Sequence, residues 1–216
     1  MYKKFIKRSF DIVLSFAGLI CLSWLYVLIA IGIYIDDPGP VLFTQKRICR
    51  GKKYFTLHKF RTMKVSAPHD VPTHLFNDAN EYITSVGKIL RKMSLDELPQ
   101  IWDIFIGKMS IIGPRPALWN QYDLISERDK YGVNDVRPGL TGLAQISGRD
   151  ELEISEKAKI DGEYVAILNS GGVKPFFQDV KCFFKTFLTV ASRNGVVEGN
   201  EGNSQKDTVI EEKVEV

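Results

Sequence analysis

The 216-residue sequence predicts an α+β fold that carries a membrane-embedded helix at its N-terminal end. Three observations predict it. Residues 12–35 hold no charged side chain over 24 positions. Two segments rich in β-branched and aromatic residues, 41–47 and 54–63, flank the basic turn "ICRGKK" and predict a small β-hairpin. Helical patterns then follow, the last being amphipathic at 175–193. The chain therefore divides into an anchor (1–35), a cytoplasmic domain (36–195) and an acidic tail (196–216) whose Gly, Asn and Glu content predicts disorder.

The apolar run is long enough to span a bilayer as a helix, since about 20 residues suffice. Its flanks are both basic: Lys3, Lys4, Lys7 and Arg8 before it, Lys46, Arg47, Arg50, Lys52 and Lys53 after it. Positive charge marks the cytoplasmic side. A single span leaves one group outside, whereas a helix that turns back leaves both inside. From charge alone both remain open. Arg8 and Asp11 lie three apart on one helical face and can pair at the interface. Ser15 and Ser23 can bond backbone carbonyls and bend a helix.

"DDPGP" at 36–40 is a strong stop. After the hairpin, residues 64–80 read as a loop, and helical patterns occupy 81–93 and 96–107. "IIGPRPA" is a rigid turn, and a helix is expected from Ala117 to about Tyr131 with Pro116 at its start. Residues 136–149 are turn-rich, and 152–168 is helical. In 175–193, Phe176, Phe177, Val180, Phe183, Phe184, Phe187, Leu188 and Ala191 fall on one side, with Lys181, Lys185, Thr189 and Arg193 elsewhere. Core packing would explain that stripe, but five phenylalanines opposite lysines favour a helix lying in the lipid interface.

Formal net charge is +3, yet residues 198–216 carry −4 and residues 1–197 carry +7. A basic body points to an anionic partner: nucleic acid, a phosphorylated substrate or anionic lipid. No aromatic RNA-binding signature, zinc-finger spacing or helix-turn-helix occurs, so nucleic acid is not expected. Cys21, Cys49 and Cys182 are far apart and form no C-x-x-C, which excludes a metal knuckle and a disulfide framework.

The stretch "RKMSLDELPQIW" (91–102) holds adjacent acids, Asp96 and Glu97, behind Arg91 and Lys92. Ser94 and Glu97 fit a capping box, and acids in a first helical turn are ordinary. The same geometry suits chemistry. Cations and a helix dipole keep a carboxylate ionised, an ionised Asp can attack phosphorus, and two carboxylates can hold Mg²⁺ with substrate phosphates.

Phosphate-binding groups elsewhere favour chemistry. Pro114 and Pro116 restrict the backbone of Arg115, whose planar fork suits phosphate. Arg137-Pro138-Gly139 repeats the device and leads into a glycine-rich segment with Gln145 and Arg149. Lys59 and Arg61, two apart on a strand, share one face.

Taken together, these motifs resemble the bacterial sugar transferases, the small monotopic polyprenyl-phosphate phosphoglycosyl transferases. The matching stretches are "FIKRSFD" (5–11), "GPVLFTQKR" (39–47), "KFRTM" (59–63), "LDELPQ" (95–100), "IIGPRP" (111–116) and "VRPGLTGLAQISGR" (136–149), with "IDGEYV" (160–165) a looser match. The resemblance implies transfer of a sugar-1-phosphate from a UDP-sugar to undecaprenyl (polyprenyl) phosphate, with release of UMP, at the start of lipid-linked glycan synthesis. It implies Asp96 as nucleophile, Glu97 as its dyad partner, and Mg²⁺ held at Asp96 with Asp161. Lys59, Arg61, Arg91, Arg115, Arg137, Gln145 and Arg149 become substrate or phosphate ligands. Lys7, Arg8, Asp11 and Ser23 belong to a re-entrant helix that enters one leaflet of the cytoplasmic membrane. Membrane lipids are partners, and the pathway leaves room for downstream glycosyltransferases. The chain departs from the family at Trp24, where a proline after Ser23 would kink the helix, and at Cys49, usually glycine. The rival readings are a non-catalytic membrane adaptor, in which the acids cap a helix, and a glycosyltransferase that moves the sugar alone and releases UDP.

Overall fold

The computed structural model describes residues 2–67, 79–148 and 152–192. Arg149, the 196–216 tail and most of the 64–80 loop lie outside the described residues. After a short π-turn (Tyr2–Ile6), two helices form the N-terminal arm, α1 (Lys7–Cys21) and α2 (Ser23–Asp36). The arm is broken at Leu22 and bent by 59°. No single helix among the described residues is long and apolar enough to cross a membrane, although the bent pair together is. The bend has a local cause. Ser23 Oγ bonds Ile20 O at 2.8 Å, and a serine that bonds back to its own helix competes with the ladder.

Both ends of the arm are tied to one body. At the start of α1, Arg8 donates to Ile104 O at 2.7 Å and Phe105 O at 2.8 Å, and Lys7 pairs with Asp179 at 2.7 Å. At the end of α2, Asp36 Oδ2 accepts from Val86 N at 2.8 Å, and Asp37 takes the Arg61 guanidinium. Arg8 and Asp11 do not form the expected pair. Asp11 is buried and accepts from Ser110 Oγ and Ile111 N at 3.0 and 2.9 Å, because burial makes those bonds worth more than an exposed ion pair.

β1 (Leu42–Ile48) and β2 (Tyr54–Phe60) form the expected antiparallel hairpin, in register from Leu42–Phe60 to Ile48–Tyr54. Its inner face buries Phe55 and Leu57 against Ile104 and Met109. Alternation carries Lys59 onto that same face.

The predicted 81–93 helix is divided between α3 (Ala79–Tyr82) and α4 (Ser85–Lys92), because Thr84 is extended and caps α4 through Gly87 N at 3.0 Å. The predicted 96–107 helix is a 3₁₀ turn, Leu95–Glu97, followed by α5 (Gln100–Phe105). β3 (Ser110–Ile112) pairs in parallel with β4 (Gly139–Thr141). The helix expected from Ala117 is α6, Tyr122–Asp129. It starts late because Leu118 bridges Arg47 of β1 and Ala117 O accepts from Ile48 N, which holds that backbone extended.

α7 (Ile154–Asn169) supplies Tyr164, Val165 and Leu168 to the largest core cluster. α8 (Lys174–Ser192) buries Pro175, Asp179 and Cys182 and turns most of its phenylalanines outward: Phe177, Phe184 and Phe187 are exposed, while Phe176 packs on the core. Core packing therefore does not account for most of that stripe. Phe10 meets Phe176 at 6.0 Å and Phe16 meets Phe105 at 6.0 Å, so α1 touches both α8 and α5. Exposed Phe16 of the arm, through Phe105, adjoins exposed Trp102 of α5, and exposed Phe10, through Phe176, adjoins Phe177 of α8.

Candidate active site

Leu95–Glu97 enters from a strained residue. Ser94 has φ 55°, the left-handed region that a non-glycine residue adopts at a cost of order 1–3 kcal/mol. In that conformation its hydroxyl makes no cap, so the capping box is absent and Glu97 is free to turn elsewhere. Pro99 is the residue before α5 rather than a member of its first turn.

Glu97 faces two cations. Arg115 Nη2 lies 2.6 Å and Lys59 Nζ 2.8 Å from Glu97 Oε1. Lys59 Nζ also reaches Asp96 Oδ2 at 3.4 Å. Among the described residues nothing bonds Asp96 Oδ1. Arg91 donates to Thr62 Oγ1 at 2.9 Å, and its charge acts on Asp96.

The electrostatics separate the two acids. Burial opposes ionisation of Glu97, but the Arg115 and Lys59 charges outweigh it and hold the carboxyl well below the usual glutamate range. Burial pushes Asp96 up, with Lys59 opposing and Glu97 adding to the rise. The sequence expectation of a dipole-stabilised Asp96 is therefore reversed: only a 3₁₀ turn surrounds it, and desolvation dominates.

The expected ligands scatter. Asp96, Glu97, Lys59, Arg91 and Arg115 come together. Arg61 does not join them: it is 7% exposed and donates to Pro40 O, Asp37 O and Asp37 Oδ2, because strand β2 ends at Phe60 and its alternation no longer applies. Arg137 lines a separate cleft with Lys3, Lys7, Arg50 and Asp135, at the turn end of the hairpin. Lys59 stands five residues from Tyr54, roughly 17 Å along the strand from that end. Gln145 is buried, and neither end of its amide has a partner among the described residues. Gly139 and Gly142 serve close backbone packing: a Cβ on Gly139 would lie 2.1 Å from Gly113 N, and one on Gly142 would lie 2.1 Å from Gly113 O.

Asp161, expected as a second metal ligand, is engaged by Arg128. It is 1% exposed and its Oδ2 takes Arg128 at 2.6 and 3.0 Å. No group of three His, Cys, Asp or Glu side chains suited to a metal occurs among the described residues. The Asp96 carboxylate has donor chemistry that fits Mg²⁺, which binds through one or two carboxylates plus substrate phosphates and water.

Sequence reasoning missed Arg47. It is half-buried, donates to Pro116 O at 2.9 Å and to Gln45 Oε1, and stands near Arg115 and Glu97. Burial first, then the Arg115 charge, pushes it down to about 9, which leaves it cationic at neutral pH. Hairpin register could have found it, since Arg47 pairs with Phe55, on the face that carries Lys59. Arg128 gave no such signal, because "SERDK" reads as a solvated charge run.

The family model described as bacterial sugar transferase matches residues 2–193. The chain belongs to that family. It is thus an enzyme of the phosphoglycosyl transferase class. An exopolysaccharide production protein, ExoY of Sinorhizobium fredii, is 35% identical over 88% of this chain and 87% of its own length. The undecaprenyl-phosphate galactose phosphotransferase of Salmonella typhimurium is 32% identical over 89% of this chain but only 42% of its own length. A UDP-N-acetylgalactosamine-undecaprenyl-phosphate N-acetylgalactosaminephosphotransferase of Aeromonas hydrophila is 33% identical, over 88% of this sugar transferase and 45% of the relative. This chain thus spans less than half of those two longer relatives.

Proposed function

We propose that this protein transfers a sugar-1-phosphate from a UDP-sugar to undecaprenyl or another polyprenyl phosphate, releasing UMP, as the first step of a lipid-linked glycan. The observation that carries the reading is the division of labour in the dyad. Glu97 is engaged by Arg115 and Lys59, while Asp96 is desolvated and, among the described residues, nothing bonds its Oδ1. A desolvated carboxylate is the more reactive nucleophile.

Asp96 forms a bond to the sugar-proximal phosphorus as the bond from that phosphorus to the bridging oxygen breaks. UMP departs with that oxygen. An oxygen of the polyprenyl phosphate then attacks the same phosphorus, and Asp96 leaves as a carboxylate. Lys59 and Arg115, held by Glu97, flank the diphosphate, with Arg91 and Arg47 adding positive charge. Mg²⁺ bound at Asp96 would neutralise charge on the diphosphate.

The bent arm serves the lipid substrate. Both of its ends are fixed to one body, so it enters a single leaflet and returns. The exposed apolar faces of α1, α2, α5 and α8 sit in the cytoplasmic membrane, with the dyad at headgroup level on the cytoplasmic side. There the enzyme need not extract a prenyl chain, which costs about 0.8 kcal/mol per CH₂ brought into water. The test mixes membrane-bound protein, Mg²⁺, undecaprenyl phosphate and a panel of UDP-sugars. UMP release supports the reading. UDP alone, or silence from folded protein across the panel, counts against it.

A further inference from the structure

Arg128 and Asp161 form the most deeply buried ion pair among the described residues, with side chains 4% and 1% exposed. Nε and Nη2 of Arg128 are both given to Asp161 Oδ2. The remaining nitrogen, Nη1, donates to the backbone oxygen of Arg115 at 2.9 Å. One residue on, Pro116 O accepts from Arg47 Nη1 at 2.9 Å. The backbone of 115–116 is therefore gripped by two guanidiniums, and flanking prolines remove most of its remaining freedom. From this fixed point the Arg115 side chain runs to Glu97 at 2.6 Å.

We propose that Asp161 is a positioning residue: it orients Arg128, Arg128 clamps the Arg115 carbonyl, and the clamp aims the Arg115 guanidinium at Glu97 and the donor diphosphate. The proposal rests on the function proposed above, since it assigns Arg115 to that diphosphate. Neither Asp161 nor Arg128 reaches the substrate, because both are sealed from solvent. A buried ion pair is a poor stabiliser compared with apolar residues of similar volume. The geometry that this pair imposes explains its presence better than its energy does.

The test uses the full chain in detergent with its donor and acceptor. Asp161→Asn leaves Arg128 buried without its counter-charge, so the variant that decides is Arg128→Leu with Asp161→Leu, which leaves no orphan charge. The relay predicts a folded double variant with kcat for UMP release down about tenfold to hundredfold and the UDP-sugar KM within about threefold, the signature of a misplaced catalytic group. Adding Arg115→Lys to it costs less than about a further threefold, because both changes break one unit. Losses that multiply, a normal kcat in the folded variant, or a raised KM at unchanged kcat would overturn the relay. Melting supplies a readout without turnover. Glu97→Gln lowers the melting temperature of the wild type, and the relay predicts that drop to be at least halved in the double variant; equal drops would overturn it. Wild-type protein that releases no UMP would count against the functional reading, and the melting cycle would then decide the relay alone.

Discussion

Arg115 Nη2 stands 2.6 Å from Glu97 Oε1, while Asp96 next to it meets a cation only at 3.4 Å. Adjacent carboxylates in one turn thus occupy unlike surroundings. Two acids pushed apart in pKa by their neighbours can take different roles.

The first prediction follows from those roles. Asp96→Asn lowers UMP release by more than about 10³-fold with the fold intact, as loss of a nucleophile does. Glu97→Gln acts differently. It leaves Arg115, which is partly exposed, without its counter-charge and Lys59 with Asp96 alone, so it costs stability, about 1 kcal/mol, as well as rate. Denaturation and initial-rate measurements on the two variants separate the effects.

The pH profile gives the second. The nucleophile must be ionised, and burial raises the Asp96 pKa. Activity is therefore lost as pH falls through that raised value, and the acid limb of kcat/KM lies above the ordinary aspartate value of about 3.9. Lys59 opposes the rise, so Lys59→Met moves the limb further up. A limb at or below the ordinary value contradicts the assignment.

Arg61 and Arg115 offer a contrast. Arg61 fastens the turn after α2 through Asp37 and Pro40, so Arg61→Met lowers the melting temperature and leaves the UDP-sugar KM within about twofold. Arg115→Met lowers kcat/KM for the same donor by about 10²-fold.

The bend predicts an unusual tolerance. Trp24 lies in the first turn of α2, where proline removes no intrahelical bond. Trp24→Pro retains activity within about threefold. Ile29→Pro, in mid-helix and packed on Phe60, costs roughly 3 kcal/mol and membrane-bound activity with it.

What was legible in the sequence followed local pattern. The hairpin showed in β-branched and aromatic runs, and the outward stripe of α8 in its phenylalanine spacing. The dyad showed only with its motifs assembled. Ser94 misled because a capping box and a left-handed serine read alike as S-x-x-E. Pro116 misled because a proline suited to a helix start here precedes a β-bridge. Arg61 and Asp161 went elsewhere for one reason: their charges pointed to a ligand, but tertiary partners decided where each side chain went. Those partners are as far off in sequence as Asp37 from Arg61 and Arg128 from Asp161.

The most direct test of the central claim withholds the lipid. Membrane-bound protein is mixed with its UDP-sugar and Mg²⁺ in the absence of polyprenyl phosphate, and UMP is counted against protein. A covalent aspartyl intermediate predicts a burst approaching one UMP per protein, a sugar-phosphate mass added to the peptide that contains Asp96, and neither signal in Asp96→Asn. UMP that appears only after the lipid is added, with no adduct on that peptide, would contradict the account.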